Sequence, residues 1–250
     1  MEKNIVTIFV MAYNNVPTIK LPNCYKIVDC GHSYHKYFQS INIIYDDILD
    51  NISNENKYYS ELTGLYWTWK NDNSSIKGLV CYRRFLVKLF PYFHILKENE
   101  IKKVLKKYDI ILSKKKYLGG ATVRKQFELG VSNENIVLLE KIIKKMYPEY
   151  IESMNYIWKQ KKLSAFNIMI STKKLYDEYC EWLFSILFEM EKFVDYSTVN
   201  GYKVRIFAFI SERLLPVWVD HKKLKVKYFR KYNTEWKKFL KLKLQKKTEK

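Results

Sequence analysis

Short apolar runs alternate with longer amphipathic segments along most of the chain. Four runs rich in β-branched residues have the length of buried strands, at 5–11, 78–82, 109–112 and 166–170. Between them, apolar side chains recur every three or four residues, as in helices with one buried face, at about 54–71, 97–108, 133–146, 149–161, 172–193 and 203–214. The alternation predicts an α/β fold with a mostly parallel central sheet flanked by helices. Two shorter stretches, 41–45 and 217–219, predict further strands, because Pro216 is expected to end the last helix.

The pattern changes after about residue 220, where lysines are interleaved with aromatic and aliphatic residues. From Tyr228 to Leu240 the spacing approximates a helix with one aromatic face and one basic face. Such helices are typical of proteins that lie on an anionic membrane leaflet. A solvated tail, or a helix that packs on the domain, would show the same composition. We therefore predict a main domain at 1–220 and a basic, helical, membrane-associating tail at 221–250.

The charge is as uneven as the pattern. The chain has 45 Lys and Arg against 26 Asp and Glu, a net charge of +19. Residues 221–250 hold 13 of the basic residues and two of the acidic ones, so they contribute 13 − 2 = +11. This balance indicates a polyanionic partner, which would be nucleic acid, anionic lipid or a phosphorylated substrate. No apolar run approaches the ~18 residues that a membrane span requires, so we expect a cytoplasmic protein with peripheral membrane contact.

Several sequence motifs appear in a fixed order between these elements. They are NIS, ELT and YWTWKN at 51–71, GLVCYRRF at 78–85, FNIMI at 166–170, YCEWLF at 179–184 and SERLL at 211–215. Together they resemble the bacterial capsular and exopolysaccharide glycosyltransferases long catalogued only as a domain of unknown function. The resemblance spans about residues 1–220. Cys81 stands where that family usually has His, and Met11 to Asn14 stand where it often has a His-Lys pair.

The resemblance implies a GT-A-like fold and the transfer of a sugar from a nucleotide-sugar donor. A uridine diphosphate hexose, such as one carrying galactose, is the implied donor, and a lipid-linked oligosaccharide in capsule or exopolysaccharide synthesis is the implied acceptor. The acceptor would lie at the inner face of the cell membrane, where the basic tail could bind anionic lipid.

The strand at 78–82 leads directly into two arginines, which suggests how the donor is bound. Guanidinium groups neutralise a diphosphate through paired hydrogen bonds. Since no Asp-x-Asp motif follows a strand, we predict that Arg83 and Arg84, with Tyr82, bind the diphosphate without a metal. A divalent metal is therefore not favoured, and Asp46, Asp47 and Asp72 are the fallback ligands. The alternative for the arginine pair is a structural salt bridge.

Other polar side chains complete the predicted site. The donor-binding candidates Asn51, Glu61, Lys70 and Asn71 lie in or beside the helix at 54–71, although Glu61 is as easily a buried structural residue. Glu212 is the first candidate for the catalytic base and Asp195 the second, since the reaction needs a carboxylate near the acceptor hydroxyl. A structural ion pair with Arg213 or Arg205 is the alternative role of Glu212. Asn167, an amide within an apolar strand, is the candidate for acceptor binding. His32, His35 and His94 have no partner spacing and are expected at the surface.

Two other classes of function remain open. A nucleic-acid-binding protein would also be strongly basic and rich in aromatic residues, but no recognition motif is present and the charge lies in the tail. A non-catalytic partner in polysaccharide assembly would keep the fold, and Cys81 in place of His keeps that alternative open. We favour the enzyme.

Overall fold

The described part of the chain is built around one large sheet. A computed structural model describes residues 5–36, 40, 42–199 and 201–235. The strands of this part are β1 (Val6–Ala12), β2 (Tyr25–Asp29), β3 (Ile43–Tyr45), β4 (Ile76–Cys81), β5 (Arg84–Lys88), β6 (His94–Ile95), β7 (Ile110–Ser113), β8 (Lys116–Tyr117), β9 (Lys162–Leu163), β10 (Met169–Thr172) and β11 (Val226–Asn233). Nine of them form a sheet in the order β3-β2-β1-β4-β10-β7-β11-β5-β6, and β8 and β9 form a separate two-stranded ribbon.

Helices cover both faces of this sheet. They are α1 (His32–His35), α2 (Asn56–Tyr59), α3 (Leu62–Asn71), α4 (Glu98–Leu105), α5 (Val123–Phe127), α6 (Asn133–Met146), α7 (Ile151–Lys159), α8 (Lys173–Glu191) and α9 (Ile206–His221). Alternate residues of a strand point to opposite faces. Phe9 and Met11 accordingly join the larger core with α3 and α5 to α9, while Ile8 and Val10 join a smaller core with α4.

The sheet is mixed, which corrects the prediction of a mostly parallel one. β10 runs antiparallel to both of its neighbours, β4 and β7, and β5 runs antiparallel to β11 and β6. The neighbouring pairs β1–β2, β1–β4, β2–β3 and β7–β11 are parallel. An apolar run shows that a strand is buried on both faces, but it carries no information on the direction of the strand.

The predicted C-terminal helix is wrong for residues 226–233. These residues form β11, which is paired with β7 on one side and with β5 on the other. Tyr228 and Phe229 pack against the two cores on opposite faces of the sheet. The folded unit therefore continues past the predicted boundary at 220, and the rest of the predicted tail, 236–250, lies outside the described residues.

The last helix is also longer than predicted. α9 continues through Pro216 to His221, so the strand predicted at 217–219 is helical. Val217 and Trp218 are fully buried, and the Trp218 ring packs edge-on against Tyr179 at 5.3 Å. Packing on all sides of α9 outweighs the helix-breaking effect of a proline, which sequence patterns treat as a stop.

The connections of the first four strands define where a ligand can bind. β1 lies between β2 and β4, so the chain leaves β1 toward one side and returns on the other. In α/β sheets such a reversal leaves a crevice beyond the carboxyl ends of the two strands. Here α3 packs so closely behind β1 that a Cβ on Gly64 would lie 2.5 Å from the Met11 sulfur. This contact holds the start of α3 beside the crevice.

Candidate active site

A cavity of about 440 Å³ occupies the crevice beyond β1 and β4. Its walls are the carboxyl ends of β1 and β4, the junction between α2 and α3, and one side of α9. It mixes apolar and aromatic surface with a few charged groups, as small-molecule sites do. The charged residues that line it are Lys57, Glu61, Arg83, Arg84, Arg205 and Glu212.

The structure brings together five of the predicted site residues from three separate parts of the chain. Tyr82, Arg83 and Arg84 line the cavity from the β4–β5 turn, Glu61 from the start of α3, and Glu212 from α9. Glu212 lies 128 residues beyond Arg84, and Glu61 lies 21 residues before Tyr82, so the folded sheet and helices place these groups in one site.

Three of the predicted donor-binding residues lie elsewhere. Lys70 and Asn71 are at the last turn of α3, and a ten-residue helix is about 15 Å long, which separates them from the cavity at its first turn. The Asn71 amide donates a hydrogen bond to the Asp50 carbonyl at 2.8 Å. Lys70 lies over the Trp69 ring at 3.7 Å, and the Asn51 amide bonds locally within its own turn. These side chains organise the far end of α3.

Asp195 and Asp46, two carboxylates outside the cavity, have structural partners. Asp195, the second candidate for the base, accepts a hydrogen bond from the Ser197 N–H at 2.9 Å at the start of a 3₁₀ turn. Asp46, a fallback metal ligand, is fully buried and accepts the Gly31 N–H at 2.7 Å and the Ser53 hydroxyl at 2.6 Å. Within the described residues, no three His, Cys, Asp or Glu side chains group closely enough to hold a metal ion.

The β4–β5 turn explains why two arginines reach the cavity. Cys81 pairs directly with Arg84, so only Tyr82 and Arg83 separate the two strands, and the turn lies at the carboxyl end of β4. Arg83 forms an ion pair with Glu235 at 3.2 Å. Arg84 lies over the Phe166 ring at 4.0 Å and forms no ion pair with any described residue. The two neighbouring arginines therefore differ in their electrostatic surroundings.

Glu61 is the centre of a polar network on the wall formed by α3 and α9. The chain breaks between α2 and α3 at Ser60, whose φ of 51° turns Glu61 toward α9. Arg205 donates to Glu61 at 3.0 Å and to the Ser60 hydroxyl at 2.7 Å. Asn167 donates to the other Glu61 oxygen at 3.1 Å, and Ser211 donates to the Asn167 carbonyl oxygen at 2.7 Å. Asn167 is 3% exposed, so the donor and acceptor of its amide are both engaged inside the protein.

Glu212 is an internal carboxylate at the cavity wall. Burial raises the pKa of Glu212, and the charge of Arg213 partly offsets that effect, while Glu61 adds to it. Arg213 donates to Glu212 at 2.8 Å and is itself held by Gln126 at 2.6 Å and by the Phe209 carbonyl at 3.0 Å. Glu212 is thus both an ion-pair partner and a carboxylate with the raised pKa that is useful in a base.

Cys81 lines the cavity where the resemblance leads one to expect His. Its thiol accepts a long hydrogen bond from the Arg84 guanidinium at 3.8 Å, and burial raises its pKa. The thiol is therefore neutral at physiological pH and does not supply a negative charge to the arginines.

Two histidines predicted at the surface have side chains that are largely enclosed by the protein instead. Fully buried Asp29, the last residue of β2, is 2.7 Å from the His32 ring and 3.7 Å from the His35 ring. The side chains of His32 and His35 are 14% and 3% exposed. The left-handed backbone at Gly31 starts α1 immediately after the strand, which turns both rings back onto Asp29. This packing holds the segment that carries Tyr34 to the cavity.

Several cavity residues were not predicted from the sequence. Arg205, Phe166, Tyr202 and Phe209 line the cavity, and the first was considered only as a partner of Glu212. Tyr202 is 69% exposed beside the opening. Phe209 lies within α9, and the other three lie outside the α-helices and strands. No periodic pattern marks these residues as site residues, so only the tertiary contacts identify them.

The chain has a fold similar to that of a glycosyltransferase of known structure. It superimposes on the apo structure of WbbM, a bifunctional glycosyltransferase, with a TM-score of 0.82 and 25% sequence identity. The match covers 92% of this chain and 45% of WbbM, so the chain spans less than half of that protein. Residues 7–223 match the family described as Domain of unknown function (DUF4422), and the chain belongs to that family. A comparison with curated proteins finds no match.

Proposed function

We propose that this protein is a glycosyltransferase that moves a hexose from a nucleotide-sugar donor to a lipid-linked glycan. The observation that carries the proposal is one cavity at the strand-order reversal of the sheet. It contains both arginines suited to a diphosphate and a largely enclosed carboxylate suited to a base. The similarity to WbbM supports sugar transfer as the chemistry.

The charge of the cavity suits a diphosphate donor. Four cationic residues and two carboxylates line it, which gives 4 − 2 = +2. Arg84, which has no ion pair among the described residues, is the first candidate to bind the diphosphate, and Arg83 and Tyr82 extend the same surface. Tyr13, at the end of β1, and Tyr34 line the cavity and offer aromatic surface to the nucleoside or to the sugar.

The reaction also requires a base for the acceptor hydroxyl. In the proposed mechanism Glu212 takes that proton as the hydroxyl oxygen bonds to the anomeric carbon and the donor diphosphate leaves. The positive charges of Arg83 and Arg84 stabilise the charge that develops on the leaving group. Arg205 and Asn167 fix Glu61 and keep this wall of the cavity rigid. The transfer is proposed to be independent of a metal ion.

The biological setting follows from the resemblance and the charge. We propose that the acceptor is a lipid-diphosphate-linked oligosaccharide in capsule or exopolysaccharide synthesis, at the cytoplasmic face of the membrane. No helix among the described residues is long and apolar enough to cross a bilayer. The basic residues of 221–250 would attract the protein to anionic lipid, at about 1 kcal/mol for each lysine or arginine near the surface.

The first test is thermal stabilisation of the protein by a panel of nucleoside diphosphates and nucleotide sugars, with Mg²⁺ or Mn²⁺ and again with EDTA. Stabilisation by one nucleotide that survives EDTA and is lost in Arg84→Met supports the proposal. Lys70→Met is the matched control, since it removes one positive charge at the far end of α3 and should leave the effect unchanged. Stabilisation that needs a metal would refute metal independence.

The same measurement separates the other two functions. Absence of any nucleotide effect, together with tight and salt-sensitive binding of DNA or RNA, would favour the nucleic-acid-binding alternative. Binding of a nucleotide sugar without transfer or hydrolysis would favour a non-catalytic partner in polysaccharide assembly.

A further inference from the structure

Two cationic side chains meet on one aromatic ring beside the cavity, and the charge of a third cation acts on one of them. Arg84 belongs to β5, Lys231 to β11 and Lys116 to β8. Arg84 and Lys231 both lie against the ring of Phe166, with their charged groups 4.0 Å and 4.1 Å from its centre. Lys116 is close enough to repel the charge of Lys231.

This arrangement is unfavourable in the protein alone. Burial, together with the charges of Arg84 and Lys116, lowers the pKa of Lys231 to about 8. Glu212 is the group that acts in the opposite sense. None of the three cations forms an ion pair with a described residue, whereas the neighbouring Arg83 is paired with Glu235. Like charges held together with little compensation are stabilised when an anion binds among them.

The scaffold under the three cations is fixed rather than adaptable. Lys231 pairs with Leu86 in the register of β11 and β5, which sets its position relative to Arg84. Phe166 has a φ of 78° and Asn167 a φ of 52°, and left-handed backbone costs a non-glycine residue roughly 1–2 kcal/mol. The hydrogen bonds of Asn167 maintain this conformation, so the ring on which both cations rest is held in place.

We propose that Arg84, Lys231 and Lys116 form a binding site for a diphosphate group, with Phe166 as the platform that holds the first two apart. The inference rests on the proposed function and deepens it, because Arg84 and Phe166 line the same cavity and the two lysines extend the site beside it. It also places a residue of the basic C-terminal segment in ligand binding. The diphosphate has two possible sources, the nucleotide-sugar donor and the lipid-linked acceptor.

The test is isothermal titration of the full chain with inorganic pyrophosphate and, separately, with uridine diphosphate. Lys231→Met should weaken pyrophosphate binding at least about tenfold, the order expected for a lost charge-assisted hydrogen bond. Arg230→Met is the matched control, since it removes the same charge from the adjacent, exposed position of β11 and should change affinity less than about twofold.

The pH dependence of pyrophosphate affinity distinguishes direct binding by Lys231 from a general effect of positive charge. A bound diphosphate favours protonated Lys231, so affinity should fall as the pH rises through about 8. Between pH 7 and pH 9 the protonated fraction of a group with this pKa falls about tenfold, which sets the largest expected change. Arginine in Lys231→Arg stays charged over this pH range, so the variant should lack the part of the affinity decrease that comes from deprotonation of Lys231. The change in affinity that comes from titration of the ligand should be the same in both proteins. The groups around Lys231 are those named above: Arg84, Lys116 and Glu212.

A competition experiment identifies the source of the diphosphate. If saturating uridine diphosphate abolishes pyrophosphate binding, the site holds the diphosphate of the donor. If pyrophosphate still binds, and Lys231→Met removes that binding, the site holds the diphosphate of the acceptor.

The remaining outcomes of these experiments each support or overturn the proposed diphosphate site. Unchanged pyrophosphate affinity in Lys231→Met, or a pH dependence that is identical in wild type and Lys231→Arg, would overturn it while leaving the proposed function intact. Failure of wild type to bind pyrophosphate or uridine diphosphate would overturn it as well. Lys231-dependent pyrophosphate binding without binding of any nucleotide sugar would support the site and refute the proposed transferase.

Discussion

The amide of Asn167 should be one of the costliest polar groups to remove from the network that holds Glu61. Its nitrogen donates to Glu61 at 3.1 Å, its oxygen accepts from Ser211 at 2.7 Å, and its backbone has a φ of 52°. Asn167→Ala removes both hydrogen bonds and leaves buried Ser211 and partly buried Glu61 without them. It also places alanine in a left-handed conformation that asparagine tolerates better.

The expected cost follows from these three changes. A hydrogen bond to a charged group contributes about 1.5–3 kcal/mol and a neutral one about 0.5–1.5 kcal/mol. The left-handed backbone adds about 1–2 kcal/mol for alanine. Asn167→Ala should therefore lower the free energy of unfolding by about 3–6.5 kcal/mol, a large part of the total for a domain of this size.

Two further substitutions separate these contributions. Asn167→Gly loses the same hydrogen bonds but accepts the backbone conformation, so it should be about 1 kcal/mol milder than Asn167→Ala. Asn167→Asp keeps the acceptor for Ser211 but replaces the donor to Glu61 with a second carboxylate. Its deficit relative to wild type should shrink as the pH falls, because a protonated carboxyl donates again.

Urea denaturation followed by tryptophan fluorescence measures all three variants. The unfolding midpoint should change while the denaturant dependence stays constant, which would show that stability is affected rather than the unfolded state. A loss below about 1 kcal/mol in Asn167→Ala, or equal losses in the alanine and glycine variants, would refute this account of the network.

Three other substitutions test separate features of the structure. Glu212→Gln should lower the transfer rate about 10²–10⁴-fold with little change in nucleotide binding; in wild type the rate should rise with pH through a value above that of an ordinary glutamate, because burial raises the pKa of Glu212. Gly78→Ala should lower the melting temperature, at a cost of about 1–3 kcal/mol, since the new Cβ would lie 2.6 Å from Ile170 in the middle of the sheet. Asp177→Asn should destabilise the protein most at neutral and lower pH, because fully buried Lys77 loses the carboxylate at 3.1 Å. Burial lowers the pKa of Lys77 in the folded state, so the unfolded state binds more protons and stability should rise with pH, more steeply in this variant.

Much of the local structure could be predicted from the amino-acid sequence. The apolar runs that became β1, β4, β7 and β10, and the helical periods of α3, α6 and α8, depend on burial within a few consecutive residues. The sequence also predicted that Arg83 and Arg84 lie at the end of a strand. A turn that directly follows a strand must lie at the carboxyl end of that strand, where ligands bind in α/β sheets. Glu212 was selected from the sequence because it lies in the SERLL motif at 211–215, and that motif gives no information on the pKa of its carboxyl group.

The tertiary structure decided the features that depend on distant pairing. β10 runs antiparallel to its neighbours and β11 is a strand, since hydrogen bonds to partners far along the chain determine direction and register, whereas hydrophobic spacing reports only local burial. Glu61 meets Asn167 across 106 residues and Arg205 across 144, so no local pattern could place them in one network. The position of Lys231 could not be predicted from the sequence either, because the spacing around it fits an exposed basic helix as well as a strand. Only the pairing of β11 with β5 places its charge beside Arg84.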